Sequence, residues 1–261
     1  MSQIPELTGG RRLVHDAISE KQWVSRGAET YVELFSDFIQ DVGETPVLPW
    51  VVTEAGSTSA TGDFIDAADG VLRLLHSTDN AAEAMLLSLG GTNAISPTKE
   101  VILEARVKWT LSTDAAFSED SDYECIVGLA SAGSAVSASA AAFDGFDDTV
   151  AFRVGSVGGA TGLNIYIESD DGTNDNAPHD TGIDWVSGTY VTLKIDMTDT
   201  SNVKFFVDGV KANNGKQINI SNMAATDLLE PYLLFARTSN GGTERAHSMD
   251  IDYVKCTWKR S

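Results

Sequence analysis

The sequence predicts an all-β protein, an antiparallel sandwich, and three stretches carry that expectation. Val203 to Lys211 (VKFFVDGVK) alternates apolar and polar residues into an Asp-Gly pair and out again, the strongest short-range signal for a two-residue hairpin. Tyr190 to Asp196 (YVTLKID) alternates in the same way. The chain closes on a third such run, Met249 to Trp258 (MDIDYVKCTW). Period-2 patterning of this kind marks strands with one face turned to a core.

Residues 1–30 read as an N-terminal arm and residues 31–261 as the sandwich. In the arm, Thr8-Gly9-Gly10 breaks the chain, and Val14, Ala17, Ile18 and Lys21 share one stripe of a short helix expected over Leu13 to Ser25. Tyr31 to Phe38 and Trp50 to Thr53 are the opening strands, with Pro46 and Pro49 marking the turn between them. Phe64 to Leu75 is a second hairpin, turning at Asp69-Gly70. Ala84 to Leu89 and Val101 to Thr110 follow, separated by a Gly-Gly-Thr-Asn loop and Pro97. Glu124 to Ala130, Val150 to Val154 and Leu163 to Glu168 continue the series, giving about a dozen strands. The uncharged tract Ser131 to Ala142 (SAGSAVSASAAA) reads as a flexible loop, with a subunit contact as its alternative.

Composition excludes several roles. A hydrophobic content of 42% supports a full core; only 21% of residues are charged, and Gly, Ser, Thr, Asp and Asn are abundant, as turn-rich β proteins require. The net charge of −20 argues against nucleic acid and against an anionic membrane surface. Residues 1–30 hold four acids and four bases, so the whole −20 resides in residues 31–261. Cys125 and Cys256 sit in separate predicted strands, without CxxC spacing or a neighbouring His. They are expected to be buried free thiols, with a disulfide as the alternative. The segment MSQIPELTGGRRLVHDAI contains no apolar run of signal-peptide length, so synthesis in a host cytoplasm is expected.

The order TYVTLKID, NVKFFVDGV, PYLLFARTSNGG, MDIDYVKCTW resembles concanavalin A-like (laminin G/lectin-type) jelly rolls, in particular those of tailed-phage virion structural proteins. The resemblance spans Tyr31 to Trp258 and implies two packed antiparallel sheets. Glycanases of this fold set their acids on one strand as E-x-D-x-x-E, and no such run is present. The nearest, Glu168-Ser169-Asp170-Asp171, leads into Gly172-Thr173-Asn174 and is read as a loop. Asp250 and Asp252 share a strand face but lack a third acid, and are read as a solvated face of the closing strand.

No other catalytic constellation emerges. His15, His76, His179 and His247 are scattered, and no Ser occupies a G-x-S-x-G elbow. Asp63, Asp66 and Asp69, and the oxygen-rich stretch Asp170 to Asp180, both read as acidic loops, miss the alternating EF-hand register, so no metal or other cofactor is expected; calcium in the second loop is the alternative. Trp109, Trp185 and Trp258 are expected in the core, whereas Trp23 and Trp50 fall outside the strand pattern as surface candidates. Arg11, Arg12 and Trp23 are the candidate partner-docking residues, because an arm rich in apolar groups needs another surface to bury them.

The function expected from these readings is non-enzymatic: a capsid decoration protein of a tailed phage, located in the virion. Its partners would be the major capsid protein or another virion protein, and copies of itself in a homo-oligomer, a trimer by analogy with the family and a dimer as the alternative. The alternative is a carbohydrate-binding module or receptor-binding adhesin with a surface glycan as its partner.

Overall fold

The computed structural model describes residues 12–15, 22–25, 31–36, 50–56, 61–65, 70–76, 82–91, 95–110, 123–131, 148–155, 164–237 and 247–260. The tract 132–142, Arg11, Asp66 and Asp69 lie outside the described residues. All the described elements are strands, and they confirm the two-sheet jelly-roll sandwich.

In chain order the strands are β1 (Arg12–His15), β2 (Gln22–Ser25), β3 (Tyr31–Ser36), β4 (Val51–Gly56), β5 (Thr61–Ile65) and β6 (Val71–Leu75). Next come β7 (Glu83–Ser88), β8 (Val101–Thr110), β9 (Tyr123–Ser131), β10 (Asp148–Gly155), β11 (Asn164–Asp171) and β12 (Asn176–Asp184). The series ends with β13 (Tyr190–Met197), β14 (Lys204–Val207), β15 (Val210–Lys211), β16 (Leu229–Arg237) and β17 (Ser248–Lys259).

One sheet has seven strands in the order β12-β11-β10-β9-β16-β7-β4. The other has the order β15-β14-β13-β8-β17-β6-β5, with β3 also paired to β17. Strand β17 is twelve residues long and serves two partners on one side. Its first half pairs with β6 and its second half with β3, while β8 runs along its other edge. The register against β8 shifts between Ile251 and Tyr253, where the partner on the far edge changes.

The hairpin at Asp208-Gly209 forms as the sequence requires. Both residues have positive φ, 48° and 78°, the left-handed pair of a type I′ turn. Asp tolerates that conformation and Gly adopts it without steric cost.

Inward residues of both sheets build one core. Phe152 of β10 meets Phe205 of β14 edge-on at 5.1 Å, and Trp109 meets Trp185 at 5.7 Å. Trp258 packs partly buried against the same core. Cys125 and Cys256 are free and buried, one on each sheet. Burial pushes the Cys256 thiol up to about 12 and holds that of Cys125 well above its ordinary value, so neither presents a thiolate.

Four expectations are corrected. The segment expected to be helical forms the antiparallel pair β1 and β2, in which Val14 stands opposite Trp23. Trp50, expected on the surface, is only 2% exposed and belongs to the core; it immediately precedes β4. Residues 176–184 form a strand at the sheet's edge, a position that tolerates Pro178 because one side needs no N–H donor.

The fourth concerns Asp250 and Asp252, of which Asp250 is buried and Asp252 partly so, both ion-paired. Arg73 donates to Asp250 at 2.6 and 2.8 Å, Lys108 reaches it at 2.8 Å, and Arg106 pairs with Asp252. Tyr190 extends this ladder beneath Arg106 and Lys108, 4.4 and 4.8 Å from its ring. Burial pushes the Asp250 carboxyl up, but the Arg73 and Lys108 hydrogen bonds outweigh it and hold it below the ordinary Asp value.

Replacing Asp250 with Asn should therefore cost about 3 kcal/mol at neutral pH. The folded-state value is depressed, so the contribution is complete above the ordinary carboxylate range. It should fade as pH falls below about 4. Denaturant titrations of wild type and Asp250→Asn at pH 7 and at low pH check this: the gap should be wide at the first and narrow at the second.

Candidate functional site

Inward placement of Val150, Phe152 and Val154 on β10, and of Ile165 and Ile167 on β11, fixes what faces the opposite way. On the distal face of the seven-stranded sheet, the face turned from the shared core, β11 presents Tyr166, Glu168 and Asp170. Strand β10 presents Thr149, Ala151 and Arg153, and β9 presents Glu124, Ile126, Gly128 and Ala130. Strand β16 presents Glu230, Tyr232, Leu234 and Ala236.

The registers arrange these residues in rows. Glu168 lies beside Ala151, then Gly128, then Tyr232. Asp170 lies beside Thr149, then Ala130, then Glu230. Tyr166 lies beside Arg153, then Ile126, then Leu234. Two small residues thus form a floor between the Glu168 carboxylate and the Tyr232 ring. Gly128 is required there, because a Cβ would collide with the Val150 carbonyl oxygen and with Ala151.

Arg153 is the electrostatic centre of the face. Its Nη1 donates to Glu168 at 2.6 Å, and its Nη2 pairs with Glu124. Arg153 is 3% exposed, Glu124 0% and Glu168 8%, so the guanidinium offsets two carboxylates in a poorly solvated setting. An apolar cluster that includes Ile126, Ala151, Tyr232 and Leu234 continues the buried region across β9, β16 and β7. Burial first, then the Glu124 and Glu230 carboxylates, push the Tyr232 phenol up. The face opens toward β11, where Tyr166 and Asp170 are half-buried.

Two further carboxylates have structural work. Glu230 accepts the amides of Leu89 and Gly91 at 2.9 and 3.0 Å, beside Pro231, which has no N–H to offer the ladder. Asp171 accepts the amides of Thr173, Asn174 and Asn222 and the side-chain amide of Asn174, closing the turn after β11. Burial raises the Asp171 carboxyl, and these hydrogen bonds more than offset it, leaving it below the ordinary value. In the oxygen-rich stretch considered for calcium, Asp171 is therefore committed to backbone donors. No group of three or more metal-ligating side chains occurs among the described residues.

Glu168 and Asp170 stand on one strand face and not in a loop. The reading of Glu168 to Asp171 as a loop is corrected accordingly: β11 runs on to Asp171, and the turn begins only at Gly172. Of the residues expected to dock a partner, Arg12 opens β1 opposite Ser25 and Trp23 lies in β2. The conjunction of Glu124, Arg153 and Glu168 was not visible in the sequence, since it depends on the registers of three strands.

No protein-family model matches the chain, and no curated protein sequence matches it. Solved structures do match in fold. A glycoside hydrolase family 16 endo-glucanase from Bacteroides ovatus aligns over 85% of this chain and 98% of its own, with TM-score 0.57 and 14% identity. A laminarinase from Flavobacterium sp. UMI-01 aligns over 85% and 97%, with TM-score 0.57 and 12% identity. A pseudo β-1,3-glucanase of Mycobacterium tuberculosis, also an immunostimulatory antigen, aligns over 87% and 98%, with TM-score 0.55 and 13% identity.

The likenesses establish the concanavalin A-like sandwich, and nothing in them points to a phage particle. The expectation of a non-enzymatic capsid decoration protein is overturned, because the matching sandwiches are mostly β-1,3-glucanases and laminarinases. That expectation rested on the resemblance and on the missing E-x-D-x-x-E run; strand β11 nonetheless carries Glu168 and Asp170 on one face.

The Gly128 floor gives a direct test of the close approach of β9 and β10. Gly128→Ala should destabilise the protein by about 1–3 kcal/mol through overpacking, despite the higher strand propensity of Ala. Thermal or denaturant unfolding reads the loss.

Proposed function

We propose that the protein is a carbohydrate-active enzyme that hydrolyses a β-glucan chain laid along the half-open part of β11. Glu168 and Asp170 are its two carboxylates. One observation carries the reading: these acids stand two residues apart on one strand face, beside the half-buried Tyr166. The endo-glucanase and laminarinase named for two of the similar sandwiches support the substrate class.

Hydrolysis of a glycosidic bond needs one carboxyl to protonate the leaving oxygen and another to activate water or attack the sugar. Residues i and i+2 of a strand have Cα atoms about 6.6–6.8 Å apart and side chains on the same face, so both carboxyl groups meet a bound sugar from one side. Arg153 fixes Glu168 through its 2.6 Å bond, and Asp170 stands beside it on the same strand face as the second carboxyl. Glu124, paired to the same guanidinium, keeps Arg153 in place. Tyr166 offers an aromatic surface at the open side.

The test is release of reducing ends from β-1,3-glucan by the full chain. Wild type should turn over, and Glu168→Gln and Asp170→Asn should each lose at least about a hundredfold in kcat while remaining folded. An inactive wild type, or full activity in both variants, contradicts the proposal.

A further inference from the structure

The opposite surface of the sandwich carries a groove that the proposed active face does not use. It encloses about 330 Å³ on the eight-stranded sheet, at the small end of ligand sites. Strands β3, β17, β8 and β13 cross it side by side. Tyr31 and Glu33 of β3, Lys255 and Thr257 of β17, Glu104 of β8 and Lys194 of β13 line it.

The registers again give ordered rows. Lys255 and Lys194 flank Glu104 from the two neighbouring strands, and Thr257 stands opposite Glu33. Lys255 reaches Glu33 at 3.3 Å, and Glu104 accepts the Tyr253 hydroxyl at 2.9 Å. Tyr31, 36% exposed, is anchored at the rim by donating its hydroxyl to Glu100 at 2.7 Å. Glu100 is itself bonded to Lys259 at 2.7 Å.

The charge in the groove decides the ligand class. Two acids and two ammonium groups cancel locally, on a chain whose net charge is −20. An anionic or cationic polymer gains nothing from such a lining. A neutral ligand carrying many hydroxyls gains a great deal, because each hydroxyl both donates and accepts. The groove alternates pure donors (ammonium), pure acceptors (carboxylate) and hydroxyls. The Tyr31 ring supplies an apolar surface at the rim.

We propose that this groove is a second glycan-binding site, holding a neutral polysaccharide on the sheet opposite the hydrolytic strip. The inference rests on the carbohydrate-active reading given above. The two sites lie on opposite faces of a two-layer sandwich, so they engage separate segments of a polymer or separate chains. A short oligosaccharide fits one site at a time, whereas a long polymer gains from both through its raised effective concentration.

The experiment compares full-length wild type with Tyr31→Ala/Lys194→Ala and with Lys194→Glu, which leaves the groove acidic. Affinity electrophoresis in β-1,3-glucan reads polymer binding, and laminaritetraose turnover reads the hydrolytic strip. Both groove variants should lose at least fivefold in polymer affinity and keep wild-type turnover of laminaritetraose. Unchanged polymer affinity in both variants, with wild type active and retained by the gel, overturns the groove and leaves the hydrolytic reading standing. A wild type that is neither retained nor active overturns both. A parallel loss of tetraose turnover in the groove variants also overturns the inference, since a separate site would not move it.

Discussion

Phe152 and Phe205 meet edge-on between the two sheets, and the layer they share dictates the chemistry on both outer surfaces. A strand has two faces, and a residue committed to the core commits its neighbours to the other side. With Phe152 inward, Ala151 and Arg153 must face outward. With Ile165 and Ile167 inward, so must Tyr166, Glu168 and Asp170. The candidate site is thus a consequence of core packing on the other side of the same strands. A one-residue slip of β11 would bury Glu168 in the core and abolish the pair.

The two outer surfaces solve the problem of sheet polarity differently. On the eight-stranded sheet, charges pair in ladders from strand to strand, as in Arg73–Asp250–Lys108, where two strands flank the Asp of β17. On the seven-stranded sheet, an apolar, buried cluster covers much of the distal face across β7, β9, β10 and β16, and the Arg153 guanidinium joins Glu124 and Glu168 beside it. Carboxylates there are held by a buried guanidinium whose own cost of desolvation is met by two partners. That arrangement fixes Glu168 in position, which an isolated surface acid lacks.

The alternating runs made much of the architecture legible. Val101 to Thr110, Tyr190 to Asp196 and the Asp208-Gly209 turn stand where the sequence pattern puts them. Other elements were obscured by composition. Asp170 to Asp180 carries Pro178 and many polar groups and reads as a loop, yet Asn176–Asp184 is strand, because an edge strand needs neither a full set of donors nor an apolar face. Strand β11 was cut short in sequence by the acids at its end, although its alternation continues through Asp170. The salt-bridged cluster could not be read at all: Glu124 and Arg153 lie on different strands, and only the offset of β9 against β10 brings their side chains together. Trp50 looked exposed because its pattern is broken by Pro49, yet the core takes it in.

The central claim is that the distal face of β11 is where a glucan is engaged. Backbone chemical-shift mapping of the Glu168→Gln protein, titrated with laminaritetraose, addresses that claim residue by residue. The account predicts the largest perturbations at Tyr166, Asp170 and the neighbouring Arg153, with smaller shifts on β12. Perturbations absent from β11, with the oligosaccharide binding elsewhere or not at all, would contradict it.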